Sequence, residues 1–187
     1  SCGKALDGVE LKVIDEEGND LETGQIGEVI SKSDLNMKGY WNKPEATKES
    51  IVDGWFYSGD AGFFDEEGYL FIHDRVKDMI VSGGENIYPA EVENALMSHN
   101  EILDAAVVGV PDDKWGESVK GFVVIGENSS LKEEDIISYS RTQIAAYKCP
   151  KSIEFIKELP RNPSGKILRR ELRDPYWEGI DRNVSGN

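Results

Sequence analysis

The chain has 187 residues, which is enough for one compact domain or two small ones. It carries 36 acidic residues against 21 Lys and Arg, and the resulting charge of −15 disfavours binding to nucleic acid or to an anionic membrane surface. The apolar runs are far shorter than the roughly 20 residues of a membrane-spanning helix, so no transmembrane segment is expected. Two cysteines, Cys2 and Cys149, do not make a disulfide framework and indicate a cytoplasmic location.

The first third of the chain has the pattern of β-structure. VELKVID alternates, with Val9, Leu11 and Val13 on one face, and IGEVIS predicts a second strand. NKPEATKES predicts a short helix that Pro44 opens. The glycine-punctuated aromatic stretch DGWFYSGDAGFFDEEGYLFIHD predicts tight hairpins.

Beyond residue 73 the pattern becomes mixed. Pro89 is placed to open a helix, and ILDAAVVGV and VKGFVVIG predict two strands. Ser130 and Glu133 predict a capping box that opens a helix ending near Ala145. SIEFIKEL predicts a last strand, and SGKILRRELR predicts a short helix.

These elements predict an α+β fold in two parts. Residues 1–73 form an antiparallel β-subdomain, and 74–78 form a hinge. Residues 79–173 form a small α+β domain with a three-stranded sheet and packed helices, followed by a tail at 174–187. The chain lacks an initiator Met, and we expect it to be a piece of a longer protein.

A basic stretch, PRNPSGKILRRELR, closes the acidic chain at residues 160–173. Pro160 and Pro163 restrict the backbone before Lys166, and Gly165 allows an unusual turn. A lysine held in such a loop suits phosphate or carboxylate oxygens. On the residues alone, a functional lysine and an ordinary surface loop are equally supported.

Two further stretches carry candidate residues. WFYSGDAG places Asp60 in a glycine-rich turn, where one carboxylate could accept hydrogen bonds from both hydroxyls of a ribose, although the residues alone favour a carboxylate that satisfies its own turn. Gly83 and Gly84 could let the backbone approach a ligand or could serve only a turn. Four charged residues are typical of a hinge: Asp74, Arg75, Lys77 and Asp78. His73 and His99 are too isolated for a metal site, and none is predicted.

Taken together and in this order, three motifs resemble the adenylate-forming acyl-CoA synthetase family, which includes fatty-acid and aryl-acid CoA ligases. They are MKGYWNKPEATKES, GWFYSGDAGFFDEEGYLFIHDRVKDMIVSGGENIYPAEVE and PRNPSGKILRREL. The resemblance covers residues 3–173, the tail of the large AMP-binding domain and the whole mobile C-terminal domain. It implies an AMP-forming ligase that converts a carboxylic acid and ATP into an acyl-adenylate and passes the acyl group to coenzyme A, with Mg²⁺ as cofactor.

The resemblance also implies roles for individual residues. Lys166 matches the catalytic lysine between the substrate carboxylate and the α-phosphate region. Asp60 and Arg75 match the residues that hold the ribose of ATP. Lys77 stands at the hinge position, where other members carry Asp, and Ser58 stands where many members carry Thr. The loop that lines the pantetheine tunnel after domain rotation corresponds to Ser82, Gly83, Gly84, Glu85 and Asn86.

The phosphate loop and the magnesium-holding glutamate of the family are not among the 187 residues, so we expect this piece to be inactive by itself. The stretch SGGENIYPAEVE favours the free-acid CoA ligases. A medium- or long-chain fatty acid is the favoured substrate, and an aryl or short-chain acid stays open. Two alternatives also stay open: an adenylating enzyme that delivers to a carrier protein, and a non-catalytic interaction module.

Overall fold

The computed structural model describes residues 1–180, so the end of the predicted tail, 181–187, lies outside the described residues. The described residues divide into two compact units, Ser1–Lys77 and 78–180. Each unit has its own five-stranded sheet and its own hydrophobic core. The predicted α+β class is confirmed.

The first unit is an antiparallel sheet with one short helix. Its elements are β1 (Glu10–Ile14), β2 (Gly27–Lys32), α1 (Pro44–Ser50), β3 (Ile51–Val52), β4 (Trp55–Phe64) and β5 (Leu70–Arg75). The strand order is β1-β2-β4-β3, and β5 also pairs with β4. The predicted alternation places Val13 in a core with Val29 and Leu70. Pro44 opens α1 as predicted, because its missing N–H costs nothing at the first helical position.

The second unit is a sheet with helices packed on it. Its elements are β6 (Ile80–Ser82), β7 (Glu85–Ile87), α2 (Pro89–Met97), β8 (Ile102–Asp112), β9 (Gly116–Ile125), α3 (Glu133–Gln143), β10 (Ser152–Phe155) and α4 (Arg169–Arg173). Single 3₁₀ turns occur at Val76–Asp78, Ala146–Lys148 and Asp174–Tyr176. The sheet order is β10-β9-β6-β7, and β8 pairs with β9.

The prediction of a three-stranded sheet in this unit was wrong. Strands β8, β9 and β10 are present as predicted, but β6 and β7 bring the number to five. They join the sheet because a two-residue turn folds them into a hairpin, and Ser82 then pairs with Gly116 at the start of β9.

The long hairpin of β8 and β9 forms the centre of the second unit. Along β8, Ala105 and Val107 pack into a core with α2 and α3, whereas Ala106 and Val108 pack into a second core on the other face. Burial on both faces explains why AAVVGV is a continuous apolar run although its pairing with β9 is antiparallel.

The predicted start of α3 was also wrong. The helix begins at Glu133, and the backbone N–H of Lys132 donates to the Asp135 carboxylate at 3.1 Å. Ser130 lies outside the helix, and the Glu133 carboxylate instead accepts the backbone N–H of Ile153 at 2.9 Å. The helix ends at Gln143, two residues before the predicted end.

Two segments differ from the predicted domain plan. Asp74 and Arg75, placed in the hinge by the sequence analysis, are the last residues of β5. Residues 174–180, placed in a tail, belong to the second unit: the Trp177 indole donates to the Gly109 carbonyl at 2.9 Å, and the Tyr176 hydroxyl donates to Glu154 at 2.7 Å. None of the helices within residues 1–180 has the length and apolar composition of a membrane span.

Candidate functional site

Asp60 lies on β4 inside one irregularity in strand pairing and next to a second. The β2–β4 register shifts between Glu28 and Ile30, and the β4–β5 register shifts between Ala61 and Gly62. Irregularities of this kind turn a side chain away from the direction that a regular strand would give it. They are frequent beside functional sites, so the position of Asp60 is compatible with a binding role.

Hydrogen bonds from β2 hold the irregular part of β4. The Ser58 hydroxyl donates to the Val29 carbonyl at 2.6 Å and accepts the Asp60 backbone N–H at 3.0 Å. The Glu28 carboxylate accepts the Gly59 N–H at 3.0 Å. Gly59 has a φ of 70°, a left-handed conformation that glycine adopts at little cost. These hydrogen bonds therefore fix the backbone of Ser58 and Gly59, the two residues that precede Asp60.

The structure brings two predicted site residues together. Asp60 and Arg75 are directly opposite each other on β4 and β5, and Asp60 Oδ1 lies 2.8 Å from Arg75 Nε. The side chains are 32% and 49% exposed, so a ligand can reach both. A carboxylate has lone pairs for several donors, and a guanidinium has five N–H groups, so this pair can accept from and donate to a polar ligand.

Lys77 is exposed in the 3₁₀ turn Val76–Asp78, and the division between the two compact units falls directly after it. The fold thus places Lys77 where the chain passes from one unit to the next. The hinge role implied by the family resemblance stays a prediction.

The predicted tunnel loop, Ser82 to Asn86, is the hairpin turn between β6 and β7. Gly83 and Gly84 have φ values of 63° and 86°, the left-handed pair of a tight two-residue turn. The Gly83 N–H donates to the Trp115 carbonyl at 2.8 Å, and a Cβ added at Gly83 would lie 2.6 Å from the Trp115 ring. A Cβ added at Gly84 would meet nothing within 4 Å. Gly83 therefore serves packing, whereas Gly84 faces open space.

Lys166 lies in an exposed loop with a defined backbone. The Asn162 side-chain oxygen accepts from Ser164 N–H, from the Ser164 hydroxyl and from Lys166 N–H at 3.0, 2.8 and 2.9 Å. Gly165 supplies the turn with a φ of 84°. Within the part of the chain that the structure describes, the Lys166 ammonium forms no salt bridge. The loop thus presents an uncompensated positive charge to solvent.

The Lys166 loop and the Gly83–Gly84 turn lie at opposite ends of the β8–β9 hairpin. Arg161 connects the Lys166 loop to Asp104, near the start of β8. The Gly83–Gly84 turn is attached at the other end, through Trp115 and Gly116. At the usual rise of a strand, the eight residue steps from Asp104 to Asp112 span about 26 Å. The structure therefore separates these two candidate elements.

Sequence reasoning missed three residues that support the site: Glu28, Asp104 and Arg161. Each acts through a contact with a residue distant in sequence or through the backbone of a loop. No local sequence pattern predicts such contacts. Among residues 1–180 no group of three or more His, Cys, Asp and Glu side chains is placed to hold a metal.

Comparisons with known proteins relate the chain to one family and its fold to solved structures. Residues 91–166 match the family described as the AMP-binding enzyme C-terminal domain. The structure resembles ATP-bound MatB from Rhodopseudomonas palustris, with a TM-score of 0.86 and 38% identity over 96% of this chain and 36% of that one. It also resembles o-succinylbenzoate CoA synthetase from Bacillus subtilis in complex with its acyl-adenylate intermediate, with a TM-score of 0.85 and 39% identity over 93% of this chain and 35% of that one.

Curated relatives are similar over nearly the whole chain. A fatty acid–[acyl-carrier-protein] ligase, ScoC from Streptomyces coeruleorubidus, is 48% identical over 99% of this chain and 36% of its own length. The long-chain-fatty-acid–CoA ligase FadD13 from Mycobacterium tuberculosis is 46% identical over 94% of this chain and 35% of its own length. The chain thus spans about a third of the length of these relatives.

The structural neighbours of this fold are adenylate-forming enzymes. Within that class, residues 91–166 carry the C-terminal domain of the AMP-binding enzymes.

Proposed function

We propose that this chain is the C-terminal part of an ATP-dependent acid–thiol ligase. In the first half-reaction, an oxygen of the substrate carboxylate attacks the α-phosphorus of ATP, and pyrophosphate leaves. In the second, the sulfur of coenzyme A attacks the acyl carbon of the adenylate, and AMP leaves. The names of the relatives, fatty acid–[acyl-carrier-protein] ligase and long-chain-fatty-acid–CoA ligase, support this reaction class.

The observation that carries the proposal is the exposed Lys166 ammonium on a fixed backbone. A carboxylate that approaches a phosphate brings two anions together, and a cation held in place lowers this repulsion as charge develops in the transition state. In a chain with 36 acidic residues, a lysine without a salt bridge among the described residues is available to an external anion. We therefore assign Lys166 to the adenylation half-reaction.

Asp60 and Arg75 fit the ribose of ATP. Asp60 Oδ1 is paired with Arg75, and the exposed part of the carboxylate leaves room for hydroxyl donors. The fixed backbone of Ser58 and Gly59 holds the carboxylate in one place, which lowers the entropy lost when the nucleotide binds. We expect magnesium to be held mainly by residues that are not part of this 187-residue sequence.

The separation of the two candidate elements supports the assignment of a different half-reaction to each. Because the Lys166 loop and the segment Ser82 to Asn86 lie at opposite ends of a long hairpin, one end would serve adenylation and the other the thiol step. A rotation at Lys77 would present the two ends in succession, as domain alternation requires. We propose that Gly84 and the exposed residues Glu85 and Asn86 face the pantetheine of coenzyme A.

The substrate class and the acceptor are finer proposals. A medium- or long-chain fatty acid is favoured by the names of FadD13 and ScoC, while a feruloyl-CoA synthase from Amycolatopsis sp, 49% identical over 83% of this chain, keeps an aryl acid as the competitor. Coenzyme A is the favoured acceptor. The name of ScoC supports a carrier protein as the second candidate acceptor. The cytoplasmic location stays a prediction from the cysteine content.

The test uses the full-length protein and its Lys166→Ala variant. We expect acid-dependent ATP–pyrophosphate exchange to fall by about 100-fold in the variant, because a fixed transition-state charge is lost. Lys157→Ala removes another exposed lysine of the same unit and serves as the matched control. A panel of fatty acids of graded length, ferulate and a short-chain acid identifies the substrate, and coenzyme A and a phosphopantetheinylated carrier protein are compared as acceptors.

Equal exchange rates in Lys166→Ala, in the control and in the unmodified protein would overturn the assignment of Lys166. The 187-residue chain alone is assayed in parallel and is expected to form no thioester. Absence of exchange with every acid in the full-length protein would favour the non-catalytic interaction module instead.

A further inference from the structure

The Lys166 loop has an internal framework and a separate attachment to the sheet. The hydrogen bonds of Asn162 close the loop on itself, and Arg161 pairs with Ile167 across its base. These contacts define the shape of the loop. They connect no atom of residues 162–166 to the β8–β9 hairpin, so they do not fix the direction in which Lys166 points.

Leu159 and Ile167, on either side of the loop, pack against Ala106, Val108 and Phe122 of the hairpin. Arg161 supplies the polar attachment of the loop itself. Its guanidinium donates from Nη1 to the Gly165 carbonyl and from Nη2 to the Asp104 carboxylate, both at 2.7 Å. The Gly165 carbonyl belongs to the peptide group whose N–H is that of Lys166. Asp104 pairs with Val124 in the hairpin, one residue before the buried part of β8. One planar group therefore joins the peptide of the candidate catalytic lysine to the central hairpin of the unit.

Lysine could not replace Arg161 in this contact. The guanidinium holds its donors in a fixed fork, whereas an ammonium is a point charge on a flexible stem. Two donors from one plane fix both the distance and the orientation between the carbonyl and the carboxylate. The Arg161 and Asp104 side chains are 41% and 31% exposed, so both are partly buried and their substitution can also lower stability. The melting temperature is therefore measured beside activity.

We propose that Arg161 and Asp104 form a positioning pair for Lys166, an inference that rests on the proposed function. The pair holds the Lys166 backbone in the orientation that adenylation requires and takes no part in the thiol half-reaction, for which the opposite end of the hairpin is used. A displacement of about 1 Å in a reacting group can cost about 100-fold in rate, so a contact that touches no substrate can still control this step.

The experiment measures both half-reactions in the full-length protein for four variants: Arg161→Lys, Arg161→Ala, Asp104→Ala and the Arg161→Ala/Asp104→Ala double. We expect ATP–pyrophosphate exchange to fall by about tenfold or more in Arg161→Ala and Arg161→Lys, in kcat rather than in KM for ATP. Thioester formation from preformed acyl-adenylate should stay within about twofold. Because Arg161 reaches the sheet through Asp104, the double variant should lose no more than Arg161→Ala alone.

Arg170→Ala is the matched control, because Arg170 also pairs with an aspartate, Asp174 at 2.8 Å, but lies 83% exposed on α4. Unchanged exchange in Arg161→Ala and Arg161→Lys would overturn the proposal. An equal fall of both half-reactions in both variants, with a lowered melting temperature, would also overturn it and assign Arg161 to the fold. Failure of the pair can be told apart from failure of the proposed function. If the unmodified full-length protein shows no exchange with any acid, the proposed function fails. If Lys166→Ala keeps exchange, the assignment of Lys166 fails and the positioning pair fails with it. If Lys166→Ala loses exchange while the Arg161 variants keep it, only the positioning pair fails.

Discussion

Glu28 is the residue on which the geometry beside Asp60 depends. Its carboxylate, on β2, accepts the Gly59 N–H at 3.0 Å. Burial raises the pKa of Glu28 above its ordinary value of 4.5; the hydrogen bond from Gly59 opposes this rise, and the negative charge of Asp60 adds to it. The fold thus places a second carboxylate near the candidate ribose contact and keeps it there through one backbone hydrogen bond.

This raised pKa predicts a pH-dependent stability. As pH rises above 4.5, Glu28 loses its proton in the unfolded chain before it does so in the folded chain. The contribution of Glu28 to the free energy of unfolding is therefore largest below pH 4.5 and is lost as pH rises through the pKa of the folded state. Glu28→Gln keeps the acceptor for Gly59 without the titration, so its stability relative to the unmodified chain should increase as pH rises.

Urea unfolding of both chains at several pH values between about 4 and 7 measures this difference. Glu66→Gln, which removes an exposed carboxylate of the same unit, controls for the loss of one negative charge. A stability difference between Glu28→Gln and the unmodified chain that does not vary with pH, or that varies equally in the control, would contradict the prediction.

At the level of single residues, the sequence predicted the candidate site side chains but not the residues that hold them in place. Asp60, Arg75 and Lys166 stand in motifs that a reader can find, and the structure places Asp60 against Arg75. Glu28 contacts a residue 31 positions away, and Asp104 contacts one 57 positions away. Strand register decides such contacts, and no short pattern encodes register between distant segments.

The β6–β7 hairpin shows how one element combines packing with an open edge. Both residues of its turn have positive φ, which disfavours most side chains, alanine included, by about 1–2 kcal/mol. At Gly83 a Cβ would also lie 2.6 Å from the Trp115 ring, whereas at Gly84 it would meet no atom within 4 Å.

We therefore expect Gly83→Ala to destabilise the chain by clearly more than Gly84→Ala. Gly84→Ala should cost about 1 kcal/mol from backbone strain alone, and Gly83→Ala should add the cost of moving Trp115. The two variants are matched controls for each other, because they differ in surroundings and not in chemistry. Equal losses of unfolding free energy would show that Trp115 does not restrict Gly83.

Element prediction succeeded where the signal was local and failed where distant groups competed. Pro44 and Pro89 each open a helix as expected, because a proline at the first helical position lacks only an N–H that would have no partner. Ser130 and Glu133 have the spacing of a capping box, but Glu133 is engaged by the Ile153 N–H from β10. A tertiary hydrogen bond thus displaced a local one.

For the molecule as a whole, we propose that the second unit uses its two ends for two half-reactions. The Lys166 loop at the Asp104 end would serve adenylation, and the turn at Gly84 would serve the thiol step. The length of the β8–β9 hairpin, about 26 Å between Asp104 and Asp112, keeps one end from replacing the other without a movement of the unit. The motifs predicted both elements, but only the fold shows that they lie far apart.

The most direct test compares Lys166→Ala with Gly84→Asn in the full-length protein. Asparagine tolerates positive φ, so Gly84→Asn should cause little backbone strain. Its side chain occupies the open space beside Gly84 and should obstruct the approach of pantetheine. We expect opposite losses of about 100-fold: Lys166→Ala loses ATP–pyrophosphate exchange and keeps thioester formation from preformed acyl-adenylate, whereas Gly84→Asn keeps exchange and loses thioester formation. If both variants lower both half-reactions to the same extent, the two ends of the hairpin do not have separate functions.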